Sequence, residues 1–226
     1  MFNSVLKDEG LPGSLVTVTV GREGGTLETF RVQAGILSHH SAFFRAALSG
    51  SWHESKTKSV ALPEDDPVAF GRILCYMYGR DVIDVTSLSD VFQLLTLADK
   101  LMMDDTLAQI IASTKMQALM NEGKELTAGN IRLAYSIPGA GPVAKIFAKY
   151  SVKKYMVIMH NKETYPKQKF VVFEFAKELE EVHRYAIDLM GLVAHAIRMC
   201  VGRPGGGPTQ LIYWGPVTEK FERAGL

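Results

Sequence analysis

The chain is short of cysteine, of net charge and of long uncharged apolar runs, and each shortage excludes something. Two cysteines in 226 residues, Cys75 and Cys200, cannot build a disulfide framework. Each stands inside an apolar helical pattern, so both read as buried structural thiols in a reducing compartment. A formal net charge of +1 gives no electrostatic grip on a polyphosphate. No zinc-finger spacing adds one, which argues against nucleic acid as a partner. Residues 1–10 hold no apolar signal core. The most apolar window, 186–201, is interrupted by Asp188, His195 and Arg198. It falls short of the roughly 20 nearly uncharged residues that span a bilayer. The expectation is a protein of the cytoplasm and/or nucleus, away from membranes. No internal repeat is visible.

Signatures of chemistry are also missing. The glycine runs at 21–25 and 202–207 have neither the dinucleotide pattern nor a Gly-Lys-Ser/Thr phosphate loop. His39-His40 has no further ligands at metal spacing, and His183 and His195 lie about three helical turns apart, too far to share one ion. Glu64-Asp65-Asp66 reads as a helix N-terminus rather than a metal cluster. Glu178, Glu180 and Glu181 read as a solvated helix face. No nucleophile, base and orienter fall together in sequence. The expectation is no enzyme, no cofactor and no metal.

What is present suffices for a full core: 47% of residues are hydrophobic and 22% charged. Residues 15–20 alternate, with Val16, Val18 and Val20 on one side, which predicts a half-buried strand. Glycines at 21–25 suit a hairpin loop, and Phe30 and Val32 give the returning strand its core face. Ser41 is a predicted N-cap for a helix carrying Phe43, Phe44, Ala47 and Leu48, stopped at Gly50. Val60 and Leu62 mark a third strand. Asp66 caps the next helix with Pro67 at its first position, and the stripe is Phe70, Ile73, Leu74, Met77 and Tyr78.

Ser87 and Asp90 predict a capping box for a helix with Val91, Leu94, Leu95, Ala98, Leu101 and Met102. Asp104 or Asp105 opens another, with Leu107, Ile110, Ile111 and Ala118. Residues 121–124 form a boundary. Beyond it the chain reads all-helical. A short helix is capped by Thr127 and broken at Pro138, and 139–142 form a loop. A longer helix begins with Val143, Ile146, Phe147 and Tyr150, and 161–168 form a polar loop. One long helix covers 172–201, then a Gly/Pro linker leads to a tail with Tyr213 and Trp214.

Several of these features occur together in an order that resembles the BTB/POZ domain. They are the Phe30-x-Val32 strand, Ile36-Leu37, Ser41-x-Phe43-Phe44, the Trp52-x-Glu54-Ser55 turn, Leu62-Pro63-x-Asp65-Asp66, Phe70 and Tyr76-x-Tyr78. The style resembles fungal members that carry a helical C-terminal part and no kelch or MATH module. The resemblance implies an α+β fold, a small mixed sheet with helical hairpins, followed by an all-α extension. The implied layout is an N-terminal segment 1–13, the BTB/POZ domain 14–121, a helical region 125–201, and a linker and tail 202–226.

It also implies a protein-interaction module. Trp52-His53-Glu54 matches the hydrophobic-x-Glu motif with which some members hold a cullin. Trp52 would fill an apolar pocket and Glu54 would accept hydrogen bonds at its rim. That makes the chain an adaptor for a cullin-3 type ubiquitin ligase, a homodimer, or both. The alternative is a scaffold or transcription-associated oligomerisation protein with no ligase role. Phe2, Val5, Leu6, Leu15, Ala34, Ile36 and Leu37 are the expected dimer interface. Leu15 and Ala34 replace the acidic and basic residues that form a charged pocket in corepressor-binding members. Losing both together leaves no unpaired charge.

Overall fold

The computed structural model describes residues 14–79, 84–120, 125–164 and 173–201, without the side chains of 153, 157–164 and 199–201. The expected N-terminal segment, the boundary at 121–124 and the linker and tail lie outside the described residues.

Three strands form one sheet: β1 (Leu15–Gly21), β2 (Leu27–Gln33) and β3 (Ser59–Leu62), in the order β2-β1-β3. β1 pairs antiparallel with β2, Val18 opposite Phe30, and parallel with β3, Val18 opposite Val60. The alternation read from sequence is present: Val16, Val18, Val20, Phe30, Val32, Val60 and Leu62 are all buried. At Gly21 the backbone has φ +93°, and a Cβ there would sit 1.8 Å from the Thr26 carbonyl oxygen, so the hairpin admits only glycine.

Between β2 and β3 the chain makes three short helices, α1 (Ala34–His40), α2 (Ala42–Ala47) and α3 (His53–Thr57). Next come α4 (Pro67–Met77), α5 (Leu88–Lys100), α6 (Thr106–Thr114) and α7 (Met116–Leu119). The caps follow their predicted chemistry. Asp66 accepts from the Val68 and Ala69 N–H groups, with Pro67 at the first helical position. Ser87 and Asp90 form the reciprocal capping box. On the sheet Phe70 packs edge-on against Phe30 at 5.1 Å between ring centres, and Phe44 lies 6.3 Å from Phe70.

Two assignments are corrected here. Met102 is 63% exposed at φ 52° in the turn after α5, not part of its buried stripe. Ala118 is exposed, because a break at Lys115 turns Met116 and Met120 inward instead.

The chain divides into two compact units. Of the described residues, the first holds 14–119 and 137–140, including the 3-10 turn Pro138–Ala140, and the second holds the rest. The second unit consists of α8 (Ala128–Ser136), α9 (Gly141–Thr164), α10 (Ala176–Glu181) and α11 (His183–Val201). The expected loop at 139–142 is a 3-10 turn running directly into α9, and α9 continues through 161–164, where a polar loop was expected.

The single helix over 172–201 is two helices. Phe173 and Phe175 are both buried and stack edge-on at 5.5 Å, a spacing of two that suits a turn and not a helix. Tyr155 of α9 packs on Phe173, and Lys154 lies over the Phe175 ring at 5.2 Å, so 173–175 are held against α9 before α10 starts. The second break is Val182 (φ −109°, ψ 82°). It lets α10 turn Glu178 inward while α11 presents Tyr185 and Leu189 to the core. No helix among the described residues is long and apolar enough to cross a membrane.

Candidate partner-binding site

The predicted site depends on how α2 is anchored. Ser41 accepts the Phe44 N–H at 3.1 Å and gives its own proton to the Leu101 carbonyl at 2.5 Å. The Ala42 and Phe43 N–H groups donate to the carbonyls of Met102 and Leu101. The free end of α2 is thereby satisfied by the end of α5 rather than by water. The left-handed turn at Met102 serves this arrangement, since it presents a backbone carbonyl to α2.

From this anchor α2 runs to Ala47, and Gly50 (φ +74°) redirects the chain. Trp52 then stands in extended conformation as the N-cap residue of α3. Where a turn was expected over 52–55, residues 53–57 form one short helix, in which the Thr57 hydroxyl donates to the His53 carbonyl. Lys58 closes α3 in the left-handed region (φ 53°), and its carbonyl accepts the Thr17 N–H, tying the segment to β1. The segment 41–58 that carries Trp52 is therefore tied at its start to α5 and at its end to the central strand.

Trp52 is 66% exposed, the largest apolar side chain so placed among the described residues. His53 is exposed, and Glu54 is half-buried at the start of α3. Among the described residues the Glu54 carboxylate joins no ion pair. An exposed indole beside a carboxylate outside any ion pair suits an anchor in an apolar pocket with hydrogen bonds accepted at its edge. Burying the exposed part of a tryptophan is worth roughly 3 kcal/mol.

Of the expected dimer residues, Leu15 and Ala34 come together. Leu15 is opposite Gln33, and the Ala34 N–H donates to the Ser14 carbonyl at 2.9 Å. Both are half-buried, as is Ile36. Leu37 is fully buried within the chain, in the core, and has no exposed side-chain surface. Phe2, Val5 and Leu6 lie outside the described residues.

The residues weighed for chemistry serve structure. Asp66 caps α4, Asp65 pairs with Lys100, and Glu64 pairs with Arg22. His40 meets His39 and Tyr76 edge-on, and its pKa is lowered by burial and then by the His39 charge. No group of three metal-ligating side chains occurs among the described residues. Cys75 is a free, half-buried thiol rather than a fully buried one, and the Cys200 side chain is outside the described set.

Glu178 overturns its reading as a solvated residue. It is 3% exposed, and the Arg132 guanidinium forks onto it at 2.7 and 3.0 Å while also reaching Glu181. Its partner is 46 residues away, and no local pattern announces it.

Comparison with known families accords with the geometry. Residues 9–117 match the profile of the BTB/POZ domain. A search of curated proteins found no match. The sheet, the helices around it and the exposed Trp52 loop are thus those of a BTB/POZ domain over residues 9–117, a module for protein–protein interaction.

Proposed function

We propose that this protein is an adaptor that holds a cullin-3 type ubiquitin ligase scaffold through Trp52 and Glu54, acting in the cytoplasm or nucleus. The observation that carries the reading is Trp52 itself, largely exposed on a segment tied at both ends. An anchor on a tied segment loses less conformational freedom on binding, so more of its burial energy reaches the affinity. The half-buried Glu54, one turn-start away on α3, supplies the polar contact.

The test is titration of the full chain with a purified cullin N-terminal region. Trp52→Ala should weaken binding by roughly 30-fold, equivalent to about 2 kcal/mol. Trp52→Ala with Glu54→Lys should abolish it while the circular dichroism of the chain is unchanged. A double variant that still binds like the parent would sink the assignment.

A second reading, self-association, is favoured by the half-buried apolar group Leu15, Ala34 and Ile36 at the start of the sheet. It describes a dimeric scaffold with or without ligase function. The same titration separates the two: a chain that dimerises but ignores cullin is the scaffold.

A further inference from the structure

Helix α11 buries one side and turns a second apolar side to solvent. Tyr185, Leu189 and Ala196 are buried. At 100° per residue, Ile187, Met190, Gly191 and Ala194 fall on the opposite side. All four are exposed, Ile187 by 58% and Met190 by 37%. Ile197, 41% exposed, extends the stripe to a length of about 15 Å. An apolar helix face in water is a face for something else to cover.

Spacing sets the shape of that cover. Positions 187, 190, 191 and 194 stand at i, i+3, i+4 and i+7, the four corners of the hole that receives one side chain from a facing helix. Gly191 leaves its corner of the hole empty, and a Cβ there would meet nothing within 4 Å. Ile187, Met190, Ala194 and Ile197 follow the alternating three- and four-residue steps of a helix–helix seam. The complementary shape is therefore a second helix, apolar at heptad spacing.

Charge narrows its composition. Arg184 and Arg198 are exposed along one edge of the stripe. Neither joins an ion pair among the described residues. The one acidic residue of α11, Asp188, is half-buried and accepts the Tyr135 hydroxyl at 3.0 Å, so it faces away from them. We propose that the outer face of α11 docks an amphipathic helix of a partner protein, apolar at heptad spacing and flanked by glutamate or aspartate.

Two other occupants fit less well. A second copy laid on α11 brings arginine to arginine. Antiparallel packing sets Arg184 of each copy near Arg198 of the other, and parallel packing sets each beside its own counterpart. An anionic membrane is held by clusters of roughly four to eight basic residues, more than this edge supplies. The proposal does not rest on the cullin reading, whose residues belong to the other unit.

The probe is a fluorescein-labelled helical peptide with leucine at heptad spacing and glutamate on both flanks. A twin peptide carries lysine in place of each glutamate. Both are titrated with the full chain and followed by anisotropy. The glutamate peptide should bind roughly tenfold more tightly than its twin, and added salt should shrink the difference. Gly191→Leu fills the hole and should weaken binding by about tenfold with the circular dichroism unchanged. Arg184→Glu with Arg198→Glu should reverse the preference between the peptides, an outcome that a loss of fold could not produce.

Four results would overturn the proposal. Two are equal affinity for the peptides and no binding of the glutamate peptide at millimolar concentration. A third is self-association of the full chain that Gly191→Leu abolishes, which would give the face to a second copy. The fourth is binding to phosphatidylserine vesicles that Arg184→Glu with Arg198→Glu abolishes, which would give it to a lipid surface.

Discussion

The two units place their polar groups differently. In the first, polar side chains work at the ends of elements: Ser41, Asp66, Ser87 and Asp90 cap helices, and the interior between sheet and helices is aromatic and aliphatic. In the second, polar groups enter the packing itself. Ser151 and Glu178 are buried, the Tyr135 hydroxyl donates to Asp188 at 3.0 Å, and Tyr185 is fully buried with its hydroxyl. Burial raises the pKa of Tyr135, and the Asp188 charge raises it further. A dry interior with capped ends is specified by pattern and volume. An interior holding ion pairs is specified by partners, each of which must be present.

The largest effect should come from the dry side. Phe44 is fully buried beside Phe70 and Phe43. Phe44→Ala leaves a cavity there and should cost about 3–5 kcal/mol. Urea unfolding followed by circular dichroism measures it. A loss under about 1 kcal/mol would mean that this interior relaxes around the cavity and is not the tightly packed member of the pair.

A middle-sized effect tests the capped ends. Partial burial pushes the Asp90 carboxyl upward. Hydrogen bonds from Arg72, the Thr86 N–H and Ser87, together with the Arg72 charge, outweigh this and hold it at about 2, below its ordinary 3.8. A depressed carboxylate contributes stability that is present above its unfolded pKa and lost as pH falls through the folded one. The contribution should therefore fade between pH 4 and pH 2. Asp90→Asn should cost about 1–2 kcal/mol at pH 7 through the weakened capping box and the lost ion pair. The gap to the parent should close on acidification to pH 2. A gap that is constant across that range would show that packing, and not the carboxylate charge, makes Asp90 matter.

The same contrast explains what was legible in the sequence. Alternation at 15–20, the Ser41 and Asp66 caps and the Ser87–Asp90 box are local signals, and the structure has each of them where the sequence predicts. The BTB/POZ resemblance was legible for the same reason, since its motif residues sit at these local features. The second half of Ser41's role, its bond to Leu101, was hidden because that partner is 60 residues away.

In the second unit the apolar stripe gave too long a helix, because Phe173 and Phe175 are fixed by α9 and not by their own periodicity. The seam of α9 was legible in part: Val143 and Phe147 are buried as expected. Ile146 and Tyr150 are only half-buried, while Ala144, Ala148 and Ser151 are buried, and small residues carry little weight in a hydrophobic pattern. For the candidate site, the sequence pointed to Trp52 and Glu54 by motif. Their short helix and the tying of segment 41–58 at both ends depend on contacts with α5 and β1 that no local pattern records.

The smallest expected effect probes whether every polar group inside the second unit is needed. The Tyr185 hydroxyl is buried without a partner at hydrogen-bond distance and angle. Burial pushes its phenol up to about 12, with the Ser151 hydroxyl acting in the opposite direction. Ser151 spends its own proton on the Phe147 carbonyl at 2.8 Å, and its approach to Tyr185 falls short of a full bond. An unpartnered buried hydroxyl costs its desolvation energy and returns nothing, whereas the ring supplies the packing. Tyr185→Phe keeps the ring and its edge-on contact with Tyr135 at 5.6 Å. It should leave stability unchanged or raise it by up to about 1 kcal/mol, read as a higher urea midpoint with an unchanged slope. A loss of more than about 1 kcal/mol would mean that the hydroxyl is bonded in solution, to Ser151 or to a buried water, and that the polar interior of this unit is fully partnered.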